Sequence, residues 1–206
     1  MKVLLINGSP NAKGCTYTAL KVVADALNKE EIETEIIQVG HKDIHGCVGC
    51  RKCKELKQCV FQDVVNEVLP KFETCDGIVI GSPVYYASAN GTLISFLDRL
   101  FFSSSADKTM KVGASVVSAR RAGTTTTFDE LNKYFTISEM PIVSSRYWNM
   151  VHGNTADQVK QDLEGLQIMR VLGKNMAFLI KAIKLAKDTY GLPEKENQRI
   201  STNFIR

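Results

Sequence analysis

Short apolar runs alternate with longer amphipathic stretches along most of this 206-residue chain. Runs rich in Val, Ile and Leu predict five β-strands, at residues 2–7, 31–39, 76–82, 110–118 and 141–148. Because most of these runs are nearly continuous, they indicate strands buried on both faces, as in a parallel sheet. Helical spacing predicts helices through residues 20–27, 63–72, 90–102 and 128–135, and over 155–190 one long helix or two in series broken at Gly173.

This alternation predicts an α/β fold in which right-handed crossovers build an open, doubly wound parallel sheet. We assign residues 1–190 to one domain and residues 191–206 to a C-terminal extension, because the tail is rich in Glu, Lys, Asn and Arg. The extension is expected on the surface or against a partner subunit. Ligands of such sheets bind beyond the carboxyl ends of the strands, so the loops after strands one, three and four are the candidate site.

Composition excludes several classes of protein. The net charge of +4 arises from 26 basic and 22 acidic residues dispersed along the chain, too mild a bias for a nucleic-acid surface. The first apolar run ends at Asn7, and no later run predicts a membrane span. We therefore expect a cytosolic protein, in which the six cysteines are free thiols, metal ligands or catalytic groups rather than disulfides.

The loop after the first strand (residues 8–20) places glycines, hydroxyls and an amide just before a helix. Unpaired N–H groups and the positive end of the helix dipole at such a position bind phosphate. The loop matches neither the P-loop nor the dinucleotide motif. Its alternative interpretation is a polar turn with Thr16 as the helix cap.

The loops after the third and fourth strands complete the same edge. Pro83 stiffens the first of these turns, and Tyr85 and Tyr86 offer flat rings that suit an aromatic cofactor, although tyrosines also commonly end core strands. Residues 118–128 combine two arginines, Gly123 and four threonines, which are also typical of a solvated turn with a helix cap. Together the loops predict phosphate donors, an aromatic wall and a cationic side around one ligand.

The sequences GSPNAKGCTYT (8–18) and GSPVYYASANGTLISFLDRL (81–100) resemble the flavodoxin-like NAD(P)H-dependent FMN reductase superfamily, and the cysteine-rich insertion at 46–60 resembles its iron–sulfur flavoprotein branch. The resemblance implies a five-stranded flavodoxin-like sheet of order 2-1-3-4-5, bound FMN and NAD(P)H as co-substrate. One departure is Cys15, which stands where the family has Asn. Asn11, Lys13 or Tyr17 is expected to replace the lost amide donor.

The resemblance also implies which residues meet FMN. The first loop should hold the phosphate, the second should line the isoalloxazine and the third should close its far edge. The residues implied are Ser9, Asn11, Lys13, Cys15, Thr16 and Tyr17; then Pro83, Val84, Tyr85 and Tyr86; and then Ser118, Arg120, Arg121 and Gly123. Either arginine near the flavin N1/O2 side would stabilise the anionic reduced ring.

Four cysteines lie close together, at Cys47, Cys50, Cys53 and Cys59. Two-residue gaps let a compact loop wrap a [4Fe–4S] cluster, and the stretch resembles the cysteine motif of the iron–sulfur flavoproteins. Zinc is a second interpretation, although structural zinc sites usually split their ligands into two separated pairs. Thiol redox chemistry, or free thiols with no chemistry, is the third.

These features predict an FMN-dependent oxidoreductase that passes electrons from NAD(P)H to an unidentified acceptor, with or without a cluster on the route. Positioning and electrostatics suffice for this chemistry, so no catalytic acid or base is predicted. A neighbouring protomer is expected to complete the nicotinamide pocket, which predicts a homodimer or homotetramer. The alternatives are an electron carrier that is reduced by ferredoxin, and a thiol or metal sensor whose flavin site is vestigial.

Overall fold

The structure is a computed structural model that describes residues 1–196, 200 and 202. Its strands are β1 (Lys2–Asn7), β2 (Glu33–Gln38), β3 (Gly77–Pro83), β4 (Val112–Ala119) and β5 (Met150–His152). Its helices are α1 (Cys15–Lys29), α2 (Cys53–Leu56), α3 (Val64–Thr74), α4 (Gly91–Ser103), α5 (Thr124–Thr136), α6 (Ala156–Gln161) and α7 (Leu163–Tyr190). The strands form one sheet of order β2-β1-β3-β4-β5 in which every pairing is parallel, which confirms the predicted fold.

Two apolar cores lie on opposite faces of the sheet. Helices α1, α6 and α7 cover one face, and α3, α4 and α5 cover the other. The three central strands contribute to both cores, because successive side chains of a strand point to opposite faces. Leu4 and Leu5 of β1, for example, are both fully buried but belong to different cores. The continuous apolar runs in the sequence follow from this double burial.

The predicted fifth strand at residues 141–148 is wrong. Ile142 makes only an isolated bridge to Gly113, and the strand at this edge is the three-residue β5 further on. Between them, the Ser145 hydroxyl donates to the Tyr147 carbonyl at 2.6 Å and contacts Asn149 Oδ1 at 2.7 Å. This local side-chain bonding competes with the sheet ladder, so the chain turns away from β4 instead of pairing with it.

Two helix boundaries also differ from the predictions. Helix α5 begins at Thr124 instead of residue 128, because Gly123 adopts a left-handed conformation (φ 88°) that starts the helix there. The break between the C-terminal helices falls at Asp162, whose side chain caps α7 by accepting from Gly165 N. Gly173, the predicted break, lies inside α7, where a Cβ would clash with Ala26 and the Val23 carbonyl. This glycine therefore permits close packing of α7 on α1.

The predicted C-terminal extension lies partly outside the described residues. Within the described part, Lys195 pairs with Asp107 at 2.7 Å. The structure does not describe residues 197–199, 201 and 203–206. No helix among the residues it does describe combines the length and the apolar character that crossing a membrane requires.

Candidate functional site

A cleft of about 230 Å³ opens at the carboxyl edge of the sheet, and we name it the loop cleft. It draws residues from the loops after β1, β3 and β4, as predicted, and also from the loop after β5. The lining residues are Ser9, Pro10, Asn11, Cys15, Thr16, Pro83, Val84, Tyr85, Ser118, Ala119, Arg120, Gly153 and Asn154. The turns that the sequence pattern predicts at one edge of the sheet thus border one cavity.

The loop after β1 is fixed by its own hydrogen bonds. Ser9 N donates to Asn7 Oδ1 at 3.1 Å, and Ser9 Oγ accepts from Asn11 N at 3.1 Å. The cap of α1 is Gly14, which makes no side-chain bond to the helix, so Thr16 is not the cap. The first N–H groups of α1 therefore start beside the cleft without a side-chain acceptor, which is the arrangement that binds phosphate.

Thr16 and Ser118 join the first and third loops beneath the cleft. Their hydroxyl oxygens are 2.8 Å apart, and both residues are buried. Cys15 lies beside them, with its thiol donating to the Gly153 carbonyl at 3.5 Å. Burial raises the pKa of the Cys15 thiol, a trend that the backbone N–H bond at the helix start opposes. Cys15 thus enters the cleft as a neutral thiol rather than a thiolate.

Residues 85–88 form a two-residue hairpin turn beside the cleft. Tyr85 and Ser88 exchange both backbone hydrogen bonds, at 2.9 and 3.0 Å, and the central residues Tyr86 and Ala87 have φ of 50° and 66°. Two left-handed non-glycine residues in succession store strain. Glu130 of α5 holds the turn by accepting from Ser88 Oγ and from the next backbone N–H. The Tyr85 ring is 46% exposed at the cleft, whereas the Tyr86 ring projects wholly into solvent.

The two adjacent arginines of the loop after β4 differ in whether they line the cleft. Arg120 lines the loop cleft, and Arg121 does not. Gly123 also lies outside the lining, where its Cα is packed so closely that a Cβ would meet Ala87 and Val84 at 2.9 Å. Its role in the structure is to start α5 close to the hairpin turn.

Five of the candidate residues therefore stand outside the lining: Lys13, Tyr17, Tyr86, Arg121 and Gly123. Conversely, four residues that line the cleft were not among the predicted site residues: Pro10, Ala119, Gly153 and Asn154. Gly153 and Asn154 were missed because the fifth strand was predicted too early in the chain, and the end of β5 determines which loop reaches this edge of the sheet. The Gly-Asn pair, a common turn sequence, was the available signal.

The four clustered cysteines border a second, small cavity of about 20 Å³, which we name the thiol cavity. It is lined by Cys47, Val48, Cys50, Arg51, Cys53, Cys59, Val60, Phe61, Arg99, Phe102 and Ser103. The loop wraps it through left-handed residues, with φ of 65° at Gly49, 60° at Arg51 and 57° at Lys57. Burial raises the pKa of the Cys53 thiol, and the three neighbouring thiols raise it further.

The four thiols are not gathered into one compact group in the structure. Across the described residues, no three His, Cys, Asp or Glu side chains are grouped to hold one metal ion. Four sulfurs around one zinc at 2.3 Å would lie only about 4 Å apart. Ser103, which lines the cavity, has a buried hydroxyl with no hydrogen-bond partner, alone in this among the side chains that the structure describes.

Arg99 of α4 closes the thiol cavity from the core side. It is 1% exposed, and its Nε donates to Cys59 Sγ at 3.2 Å. Burial lowers the pKa of Arg99, but hydrogen bonds to Asp63 and Cys59 outweigh that effect, so the pKa is raised overall. Sequence reasoning assigned no role to this residue.

The two cavities lie toward opposite ends of α4. The cap Asn90 donates from its backbone N to Ser82 Oγ, near the end of β3 at the cleft edge, whereas the Phe102 carbonyl accepts from Cys53 Sγ at 3.9 Å. Twelve residues of helix separate these positions, or about 18 Å at 1.5 Å per residue.

Comparison with known proteins identifies the family of the chain. Residues 1–155 match the family model described as NADPH-dependent FMN reductase. An iron-sulfur flavoprotein of Methanocaldococcus jannaschii is 34% identical over 192 residues, a match that covers 89% of this chain and 100% of the relative. An iron-sulfur flavoprotein of Methanosarcina thermophila is 23% identical over 192 residues, covering 91% of this chain and all of the relative.

Solved structures agree on the fold. RosB with a bound 8-demethyl-8-formylriboflavin-5'-phosphate intermediate superposes with a TM-score of 0.73 at 14% identity, covering 100% of this chain and 92% of RosB. A flavodoxin from the domain Archaea superposes with a TM-score of 0.60 at 15% identity, covering 88% of this chain and 99% of that flavodoxin. At these identities the likeness establishes the flavodoxin-like architecture alone.

Proposed function

Because the chain belongs to the NADPH-dependent FMN reductase family, in its iron–sulfur flavoprotein branch, we propose that it takes electrons from NAD(P)H and passes them, as an FMN-dependent oxidoreductase, to a second acceptor. The observation that carries this proposal is the loop cleft. Four strand-end loops border it, and a helix without a side-chain cap begins beside it. These are the features that a phosphorylated planar cofactor requires.

The loop after β1 fits the phosphate of FMN. Ser9 and Thr16 provide hydroxyls, and the first N–H groups of α1 provide donors at the positive end of the helix dipole. Gly14 supports this fit, because a Cβ there would meet Asn11 Cβ at 2.9 Å and crowd the turn. Cys15, as a neutral thiol, adds no negative charge that would repel a phosphate.

The loops after β3 and β4 fit the isoalloxazine ring. Pro83, Val84 and Tyr85 would bound the ring, and Arg120 would lie at its polar edge, since it is the arginine of the pair that lines the cleft. Bound FMN supplies reversible uptake of one or two electrons. The residues of this chain hold and orient the cofactor, and the positive charge of Arg120 favours its reduced form.

The four cysteines that line the thiol cavity are the donor set of a [4Fe–4S] cluster. We favour a cluster over zinc because structural zinc sites usually split their ligands into two separated pairs, whereas these cysteines share one short loop. The unpartnered hydroxyl of Ser103 and the Nε–H of Arg99 both lie at this cavity, and both can donate to sulfur. We therefore assign Cys47, Cys50, Cys53 and Cys59 as the ligands of a cluster.

A neighbouring protomer is part of the proposal, because it is expected to complete the nicotinamide pocket. The homodimer or homotetramer expected from the sequence is therefore part of the proposal. The single domain over residues 1–190, with its insertion at 46–60, and the cytosolic location also remain predictions.

Anaerobic reduction by nicotinamides tests the proposal. The purified full chain, reconstituted with FMN, iron and sulfide, is mixed with NADH or NADPH while the flavin absorbance is followed. Rapid bleaching supports the reductase. If neither nucleotide bleaches the flavin but reduced ferredoxin does, the protein is the alternative electron carrier that is reduced by ferredoxin. Protein that cannot take up FMN would refute both and favour the sensor.

A further inference from the structure

Arg99 makes more hydrogen bonds than packing in the core would require. Its guanidinium carries five N–H groups, and each has an acceptor. Nε donates to Cys59 Sγ at 3.2 Å, one terminal nitrogen donates to Asp63 and the His45 carbonyl, and the other donates to Asp63 and the Phe61 carbonyl. The guanidinium carbon also lies 5.0 Å from the centre of the Phe61 ring. The orientation of the group is thus determined on every side.

Stability alone does not explain a buried charge at this position. Desolvation of a buried ion pair costs about as much as the pair returns, and apolar side chains of similar volume often serve as well. Asp63 compensates the charge of Arg99 through a bidentate contact of 2.6 and 2.9 Å. That pairing leaves Nε as the donor directed to the thiol cavity, where it meets sulfur.

Arg99 is also not needed to hold the main chain of Cys59. The side chain of Asn66 does so, since its Oδ1 accepts from Cys59 N and its Nδ2 donates to Cys59 O, both at 2.9 Å. The cysteine backbone and the arginine are therefore fixed by separate contacts. The bond from Arg99 acts on the sulfur atom itself.

Ser103 lies one turn further along α4. The residue is 4% exposed, lines the thiol cavity, and leaves its hydroxyl without a partner in the part of the chain described. A buried hydroxyl without a partner destabilises the fold unless something binds to it. A sulfur atom of a bound centre would satisfy it.

We propose that Arg99 and Ser103 donate hydrogen bonds to the sulfur atoms of the four-cysteine centre and thereby raise its reduction potential. The inference deepens the proposed function and depends on a cluster at these cysteines. Reduction adds one electron, and no bond is formed or broken. Donors to the ligand sulfurs stabilise the added negative charge, so they favour the reduced state. Asp63 acts as a positioning residue for Arg99.

Potentiometric titration of the loaded protein, with the reduced centre followed by electron paramagnetic resonance, tests this. Arg99→Lys keeps the charge but loses the planar fork. It should lower the equilibrium constant for reduction at least tenfold, a shift of about 59 mV for one electron. The matched control is Arg51→Lys, because Arg51 lines the same cavity but is exposed. The control should change the constant less than threefold.

Ser103→Ala and a labelled wild type keep the test valid if Arg99→Lys fails to fold. Ser103→Ala should not lower the urea midpoint of the metal-free protein, yet should make the centre harder to reduce. Wild type labelled with ¹⁵N-arginine should show a nitrogen hyperfine coupling to the reduced centre. Wild-type potentials in Arg99→Lys and Ser103→Ala, or absence of the coupling, would overturn the inference.

The iron and sulfide content of the reconstituted wild type distinguishes failure of the proposed cluster from failure of the inference about its potential. If iron and sulfide are absent, the cluster part of the proposed function is refuted, and the inference falls with it. If they are present and the potentials do not respond to the variants, the inference alone is refuted. The midpoint potential of FMN in the same samples should stay unchanged, because neither Arg99 nor Ser103 lines the loop cleft.

Discussion

Gly40 supports the phosphate loop from behind and offers a direct test of the loop cleft. It follows β2, and its N donates to the Asn7 carbonyl at 3.2 Å. A Cβ on Gly40 would clash with the carbonyl group of Gly8 and the carbonyl carbon of Ser9. All of these are backbone atoms, so no side-chain rotation can relieve the overlap. Gly40→Ala should therefore displace the loop after β1.

The size of the effect follows from this overlap. The new Cβ would lie roughly 1 Å inside ordinary van der Waals contact. A displacement of that size breaks or weakens at least one hydrogen bond to the phosphate, and a bond to a charged group contributes about 1.5–3 kcal/mol. The Kd for FMN should thus rise about ten- to hundredfold. Overpacking should also lower the free energy of unfolding by about 1–3 kcal/mol.

Fluorescence titration of FMN into the apoprotein measures the Kd, and urea unfolding measures the stability. Gly46→Ala is the matched control, because a Cβ on Gly46 would have only Ser95 Oγ nearby, at 3.9 Å. The control should bind FMN like the wild type. If Gly40→Ala binds FMN with unchanged affinity, the loop after β1 does not hold the phosphate and the assignment of the cleft is wrong.

Four further substitutions probe the same edge. Arg120→Gln should weaken FMN binding and make the bound flavin harder to reduce in a spectroscopic redox titration, whereas Arg121→Gln should do neither; equal effects would contradict the assignment from the lining. Thr16→Val leaves the buried hydroxyl of Ser118 without its partner, so urea unfolding should show a loss of about 1–3 kcal/mol. Ala87→Gly removes left-handed strain from the hairpin turn and should stabilise the protein by about 0.5–1 kcal/mol; a destabilised variant would argue against that strain.

The sheet could be predicted because its central strands have no solvent face. Burial of both faces of β1, β3 and β4 leaves continuous apolar runs that few other structures produce. The convergence of their loops then follows from the parallel arrangement. β5 has three residues and lies at the sheet edge, so its sequence is too short to distinguish it from the neighbouring apolar residues. That error displaced the loop containing Gly153 and Asn154 from the predicted site.

The side-chain geometry of both cavities could not be predicted from the sequence. Arg120 and Arg121 are adjacent and chemically identical, and only the path of the chain after β4 decides which of them lines the cleft. The positions of Tyr85 and Tyr86 depend in the same way on a strained turn that α5 holds in place. Propensity does not predict such a turn without glycine, because tertiary contacts supply the energy that maintains it.

The thiol cavity shows why a short motif predicts a metal centre but not the residues that adjust its reduction potential. The spacing of the cysteines is local, so the sequence alone could propose a metal centre at Cys59. The donor that meets its sulfur is Arg99, 40 residues away on a helix whose pattern predicts only core packing. No periodicity relates the two residues, since their contact arises where α4 packs beside the cysteine loop. Residues that adjust the potential of a centre can therefore belong to the scaffold that packs against its ligand loop, and their substitution can change redox behaviour while all four thiols remain in place.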